Sequence, residues 1–245
     1  MGCSRVITPA SATRGSKMSL VFACWQWNMR LPVVFCSVLF IILGGTARAH
    51  PHVFVDGGID FIFLEDGQLG SIVVTWRYDA FETLYLLSEF GIIPEQGADF
   101  TDQDRALVEE RLGEFPSDFD GSAHLTVMGQ TVSLDWPRDL TARLVGDRLE
   151  VSFFRDLTTP VALSDTGLQA QFYERTYFFA FSLTDAPDFI GDDGRCSGNI
   201  DPFTPSDDTQ DLTDMLAQLS REETPQDVNV GATFTDTLEV TCNAE

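Results

Sequence analysis

Three histidines are all the chain contains: His50, His52 and His124. Two of them stand in Thr46-Ala47-Arg48-Ala49-His50-Pro51-His52, where a small-x-small export cleavage site meets the pair. Cutting after Ala49 makes His50 the new N-terminus, and an N-terminal histidine offers a metal both its α-amine and its ring nitrogen. His52 is then the third residue, but Pro51 has no amide proton to lose, so the square-planar Cu/Ni mode that uses deprotonated amides is blocked. Two arrangements stay open. One is a bidentate grip by the His50 amine and ring, braced by His124 or His52 and suited to Cu. The other is a tetrahedral set of histidines with a carboxylate, suited to Zn. The same residues also read as exposed terminal histidines plus a satisfied strand histidine.

Other chemistry is thin. The pairs Asp192-Asp193-Gly194 and Asp207-Asp208 lack the spacing of a calcium loop and read as solvated loop. No nucleophile elbow, phosphate-binding glycine loop, zincin helix or dinucleotide fingerprint occurs, so an enzyme has little support. The aromatic runs Trp76-Arg77-Tyr78 and Phe172 to Phe179 could wall a site, but mixed aromatics on strands read first as core.

What precedes His50 looks removable. Met29-Arg30 gives a short basic region and Leu31 to Leu43 an apolar run of about 13 residues, short of the roughly 20 that span a bilayer. Residues 1–49 are therefore expected to be a signal peptide, with Met18 and Met29 as further possible starts, and residues 50–245 one exported, periplasmic domain. Cys24 and Cys36 lack the setting of a lipidation signal. After cleavage only Cys196 and Cys242 remain, an even pair in an oxidising compartment, which suggests a disulfide.

The whole chain has 15 basic and 38 acidic residues; five of the basic ones and none of the acidic ones precede His50. The exported part thus carries ten against 38, a net of −28, and contains no lysine. Such a surface repels nucleic acid and anionic lipid, which need Lys and Arg at the phosphates, so neither is an expected partner. It can concentrate cations, although acidity also serves solubility.

The elements that must position the histidines follow from periodicity. Residues 52–63 and 71–77 alternate around Glu65-Asp66-Gly67 as a hairpin. Asp79 caps a helix to about Phe90 whose Phe81, Leu84, Tyr85 and Leu87 are expected to face the core. Thr101 and Asp104 open a second helix through Leu107, Val108 and Leu112, ended by Gly113 and Pro116. Strands follow at 123–128, with His124 near the start, then at 130–134, 140–145, 149–154 and 177–183. Residues 185–214 read as an acidic loop, Leu212 to Leu219 as a short amphipathic helix, and 234–241 as a closing strand. Strands dominate and βαβ alternation is absent, which predicts a single α+β domain with largely antiparallel sheet and two to three helices.

At His50-Pro51-His52-Val53-Phe54-Val55, Trp76-Arg77-Tyr78-Asp79, Tyr173-Glu174-Arg175-Thr176-Tyr177 and Phe234 to Cys242, the chain resembles the domain-of-unknown-function family 1007. Members of that family are labelled periplasmic components of an uncharacterised ABC-type transport system and are associated with nickel/cobalt-type transporters and zinc handling. The resemblance implies metal ligands at His50, His52 and His124, with Glu174 where the family has Asp in Tyr-Asp-Pro-Thr-Tyr. Arg175 replaces the Pro, and Phe54 stands where tryptophan is usual. The reading is a periplasmic protein that binds a divalent transition metal, whether Zn, Ni, Co or Cu, and acts with a membrane metal transporter. The alternatives are a histidine-brace copper oxidoreductase and a metal-free envelope scaffold for a transporter.

Overall fold

The computed structural model describes residues 51–243 apart from 96, 117, 118, 120, 164–166, 193, 220–222, 224 and 226–228. The expected signal segment, the expected cleavage site and His50 lie outside the described residues.

The expected hairpin is β1 (Val53–Phe63) and β2 (Gln68–Tyr78), paired antiparallel from Val55↔Tyr78 to Phe63↔Leu69. Its turn needs Gly67 at φ +78, where a side chain is strained, and Asp66 accepts the Gln68 N–H at 3.1 Å. Period-two alternation puts Val53, Val55, Ile59, Phe61 and Phe63 on one buried face. On the far side of β2 lies β6 (Arg148–Ala162), longer than the predicted 149–154, with β5 (Arg138–Val145) outside it. On the other side of β1, β8 (Phe179–Leu183) and the two-residue β9 (Phe189–Ile190) pair parallel to it. A second, antiparallel sheet runs β10 (Cys196–Asp201), β11 (Thr237–Cys242), β7 (Leu168–Phe172), β3 (Ala123–Val127), β4 (Gln130–Val132). The result is the expected α+β domain.

The two sheets share one apolar core. Ile72, Val74 and Phe153 from the first sheet join Leu125, Ala170, Phe172 and Leu238 from the second, and the Phe172 and Phe181 rings meet at 4.5 Å. Trp76, 7% exposed, is ringed by Tyr78, Phe119, Phe153 and Phe181, so the first aromatic run is core as expected.

Helix α1 (Ala80–Glu89) begins at Asp79, whose Oδ1 accepts the Phe81 and Glu82 N–H groups at 2.8 Å each. Its orientation corrects the sequence reading. Phe81, Leu84 and Tyr85 face solvent at 78, 68 and 45% exposure, while Thr83 and Leu87 are buried. The reason is Thr83: its hydroxyl accepts the Leu149 N–H at 2.9 Å, so the inward line of the helix is marked by a polar residue.

Helix α2 (Asp102–Gly113), capped by Thr101 accepting the Asp104 N–H at 3.1 Å, lies along β5, an edge strand. There Glu109 accepts the Ala142 N–H at 3.0 Å, Asp99 accepts that of Leu144 at 2.9 Å, and Arg105 donates to the Ala142 carbonyl. Side chains thus satisfy an edge that otherwise templates pairing with another strand.

The stretch 185–214, read as loop, contains β9, β10 and the first turns of helix α3 (Asp207–Leu216). β10 is held by its register with β11 and by the Cys196–Cys242 disulfide that joins the first pair of that register, confirming the expected bond. Asp192 corrects a second expectation: it is 4% exposed, accepts the Cys196 N–H at 2.7 Å and faces Arg195 at 3.3 Å, so it organises the disulfide loop. Asp207 and Asp208 are exposed in the first turn of α3, where the helix dipole favours carboxylates. A short 3-10 turn, Val230–Phe234, precedes β11 and packs with Leu216 in a smaller second core.

Candidate functional site

The chain crosses from the second sheet to the first in six residues, Tyr173 to Phe178, between β7 and β8. Register at both ends decides what this crossing meets. The β3–β7 ladder pairs Ala123 with Phe172 and His124 with Gln171, so Tyr173 emerges beside His124. The two rings stack at 3.9 Å and 16°, and His124 Nε2 lies 3.1 Å from the Tyr173 carbonyl. The parallel β1–β8 ladder sets Val53 opposite Phe179, so His52 meets Phe178. His52 donates its backbone N–H to the Phe178 carbonyl at 2.9 Å, and the rings lie 4.9 Å apart.

Glu174 sits within the crossing. Its carboxylate accepts the Thr176 N–H and hydroxyl, both at 2.8 Å, and the Phe178 N–H at 3.0 Å. Three of the four metal-site candidates, His52, His124 and Glu174, therefore attach to one segment, all partly buried. The fourth, His50, falls outside the described residues. Glu174 works in the first place as the organiser of its own loop.

The backbone here is strained. Ser122 and Tyr177, neither of them glycine, have φ of 52 and 59 in the left-handed region. Ser122 accepts the Tyr173 N–H at 2.9 Å, and Tyr177 is clamped by stacking on Phe234 at 4.3 Å. Burial also raises the Tyr177 phenol above its ordinary pKa. Gly231 donates to the Arg175 carbonyl at 3.0 Å, and a Cβ there would sit 1.8 Å from the Glu174 carbonyl oxygen, so only glycine lets the 3-10 turn close on the crossing. Strain of this kind persists only where surroundings enforce it, and it gathers at functional sites. Sequence reasoning missed Tyr173 as a ring partner and Gly231 as a buttress, because both depend on contacts between distant segments.

The chemistry available follows from one hydrogen bond. A carbonyl only accepts, so His124 Nε2 carries the proton and Nδ1 is the basic nitrogen. Metal-ligating histidines are commonly oriented in this way, the other ring N–H being held by a backbone carbonyl. Among the described residues no three His, Cys, Asp or Glu side chains gather closely enough to hold an ion. The full ligand set read from the sequence includes His50.

A second polar cluster lies on the outer face of the first sheet. Glu150, 3% exposed, accepts Arg77 Nε at 2.9 Å and Nη2 at 2.7 Å and also pairs with Arg143. Asp185 pairs with Arg77 at 3.0 Å, and Arg148 with Asp56 at 2.6 Å. These charges satisfy one another across four strands and their loops, which is a structural role.

Fold and crossing together define a disulfide-stapled α+β domain with a strained inter-sheet crossing that His52 and His124 meet at opposite ends. The chain belongs to the protein family of unknown function DUF1007, which matches residues 35–242. No curated protein matches the chain.

Proposed function

We propose that the protein binds a divalent transition metal in the periplasm and passes it to or from a membrane transporter. The observation that carries this reading is the attachment of His52 and His124 to opposite ends of the Tyr173–Phe178 crossing, with His124 oriented through the Tyr173 carbonyl. His50, freed at its amine by leader removal, and His124 are the principal ligands, and His52 is secondary. The metal is cargo drawn from Zn, Ni, Co and Cu, and the chemistry is coordination without turnover. The acidic surface favours cation approach.

The test is calorimetry with Zn²⁺, Ni²⁺ and Cu²⁺ on protein beginning at His50. One ion should bind. Affinity should fall toward pH 5, because imidazoles of pKa about 6.5 and an α-amine of pKa about 8 take up protons there. His124→Ala, or one extra residue ahead of His50, should weaken binding strongly. Variants that bind as tightly as the parent would overturn the site and leave the metal-free scaffold as the better reading.

A further inference from the structure

We infer that α1 is a docking surface for a second protein whose contact region is an apolar groove rimmed by Lys and Arg. Phe81, Leu84 and Tyr85 recur at helical spacing on the outer face of α1 and are exposed at 78, 68 and 45%. Phe54, itself 54% exposed, lies on the strand that is tied to the helix cap. Its N–H donates to Asp79 Oδ2 at 3.2 Å and its carbonyl accepts the Asp79 N–H at 3.0 Å, which fixes Phe54 beside the first turn of the helix. Contiguous exposed aromatics of this kind mark interaction sites, whereas scattered exposed apolar residues are ordinary. The inward face of α1 is already occupied through Thr83 and Leu87, so the outer stripe has no role in the core.

Charge selects the occupant. Helix α1 and its cap carry three carboxylates, Asp79, Glu82 and Glu89, and no basic residue. A second copy docking by two-fold symmetry would set these carboxylates against themselves. An anionic bilayer is repelled in the same way. A basic rim around an apolar groove meets both requirements, with the aromatic side chains as anchors. This surface does not depend on the metal reading, because none of its residues is a candidate ligand.

The test places a photoreactive amino acid at position 84 of the full chain in the cells that make it, and the adduct is mapped by peptide sequencing. The expected result is one protein, joined through an apolar stretch flanked by Lys or Arg. Phe81→Ser should then weaken binding of that purified protein about thirtyfold, the scale of losing an aromatic anchor, while Met215→Ser on the exposed face of α3 should leave it unchanged. Added salt should weaken the complex further. Adducts to another copy, to lipid, to an acidic surface or to nothing would overturn the inference, as would full binding by the Phe81→Ser protein. Zinc calorimetry on Phe81→Ser keeps the two readings apart, since its metal affinity should match the parent's.

Discussion

Replacing Glu174 by Ala removes the carboxylate that accepts three hydrogen bonds inside the crossing, from the Thr176 N–H and hydroxyl and the Phe178 N–H, at 2.8, 2.8 and 3.0 Å. Bonds to charged groups contribute about 1.5–3 kcal/mol each, and this loop is only partly buried, so water recovers part of the loss. A working figure of about 1 kcal/mol per bond gives roughly 3 kcal/mol. For a domain near 200 residues that corresponds to a fall in Tm of roughly 6–12 °C. Glu174→Gln keeps one acceptor but turns an amide NH₂ toward donors, so it should recover less than half. Urea unfolding, with the slope unchanged and the midpoint lowered, is the assay. A Glu174→Ala protein within about 0.5 kcal/mol of the parent would refute the argument that this side chain holds the crossing.

The other outcomes rest on separate parts of the fold. Replacing Cys196 and Cys242 by Ser releases a loop closed over a sequence separation of 46, and the chain-entropy relation puts the loss at about 4 kcal/mol, read as a lower urea midpoint; a midpoint equal to the parent's contradicts it. Glu150→Ala leaves Arg77 with Asp185 alone and should cost about 2–4 kcal/mol, less than a fully buried pair because the Arg77 side chain keeps 22% exposure. The Asp99 carboxyl is held down to about pKa 2, first by the Leu144 N–H and then by Arg105. A depressed folded pKa means its stabilisation is present above the unfolded value of 3.8 and lost as pH falls through about 2. Asp99→Asn should therefore flatten the acid limb of stability between pH 4 and 2, and an unchanged limb counts against that edge contact.

The hairpin, both of these helix caps and the disulfide were readable because each is written in local residue types: Asp66-Gly67, Asp79, Thr101, and the two cysteines that follow the expected cleavage site. The facing of α1 was not. A stripe of Phe81, Leu84 and Tyr85 shows that one face is apolar but not that it points inward, and the buried line through Thr83 looks polar in sequence. β10 was invisible for a different reason. Cys196-Ser197-Gly198-Asn199-Ile200-Asp201 has little strand character of its own and becomes a strand by pairing with β11. At the site, the residue types of His52, His124 and Glu174 were legible. Their attachment to one crossing depends on the Ala123↔Phe172 and Val53↔Phe179 registers, which no local pattern encodes.

Native mass spectrometry on the protein isolated from the cells that make it bears most directly on the proposed metal handling, because one spectrum reports both the first residue and any bound ion. The expected species begins at His50 and carries one equivalent of Zn, Ni, Co or Cu, which is lost when the sample is brought toward pH 5. A species that begins elsewhere, or one that begins at His50 and stays metal-free when offered each of these ions, would contradict it.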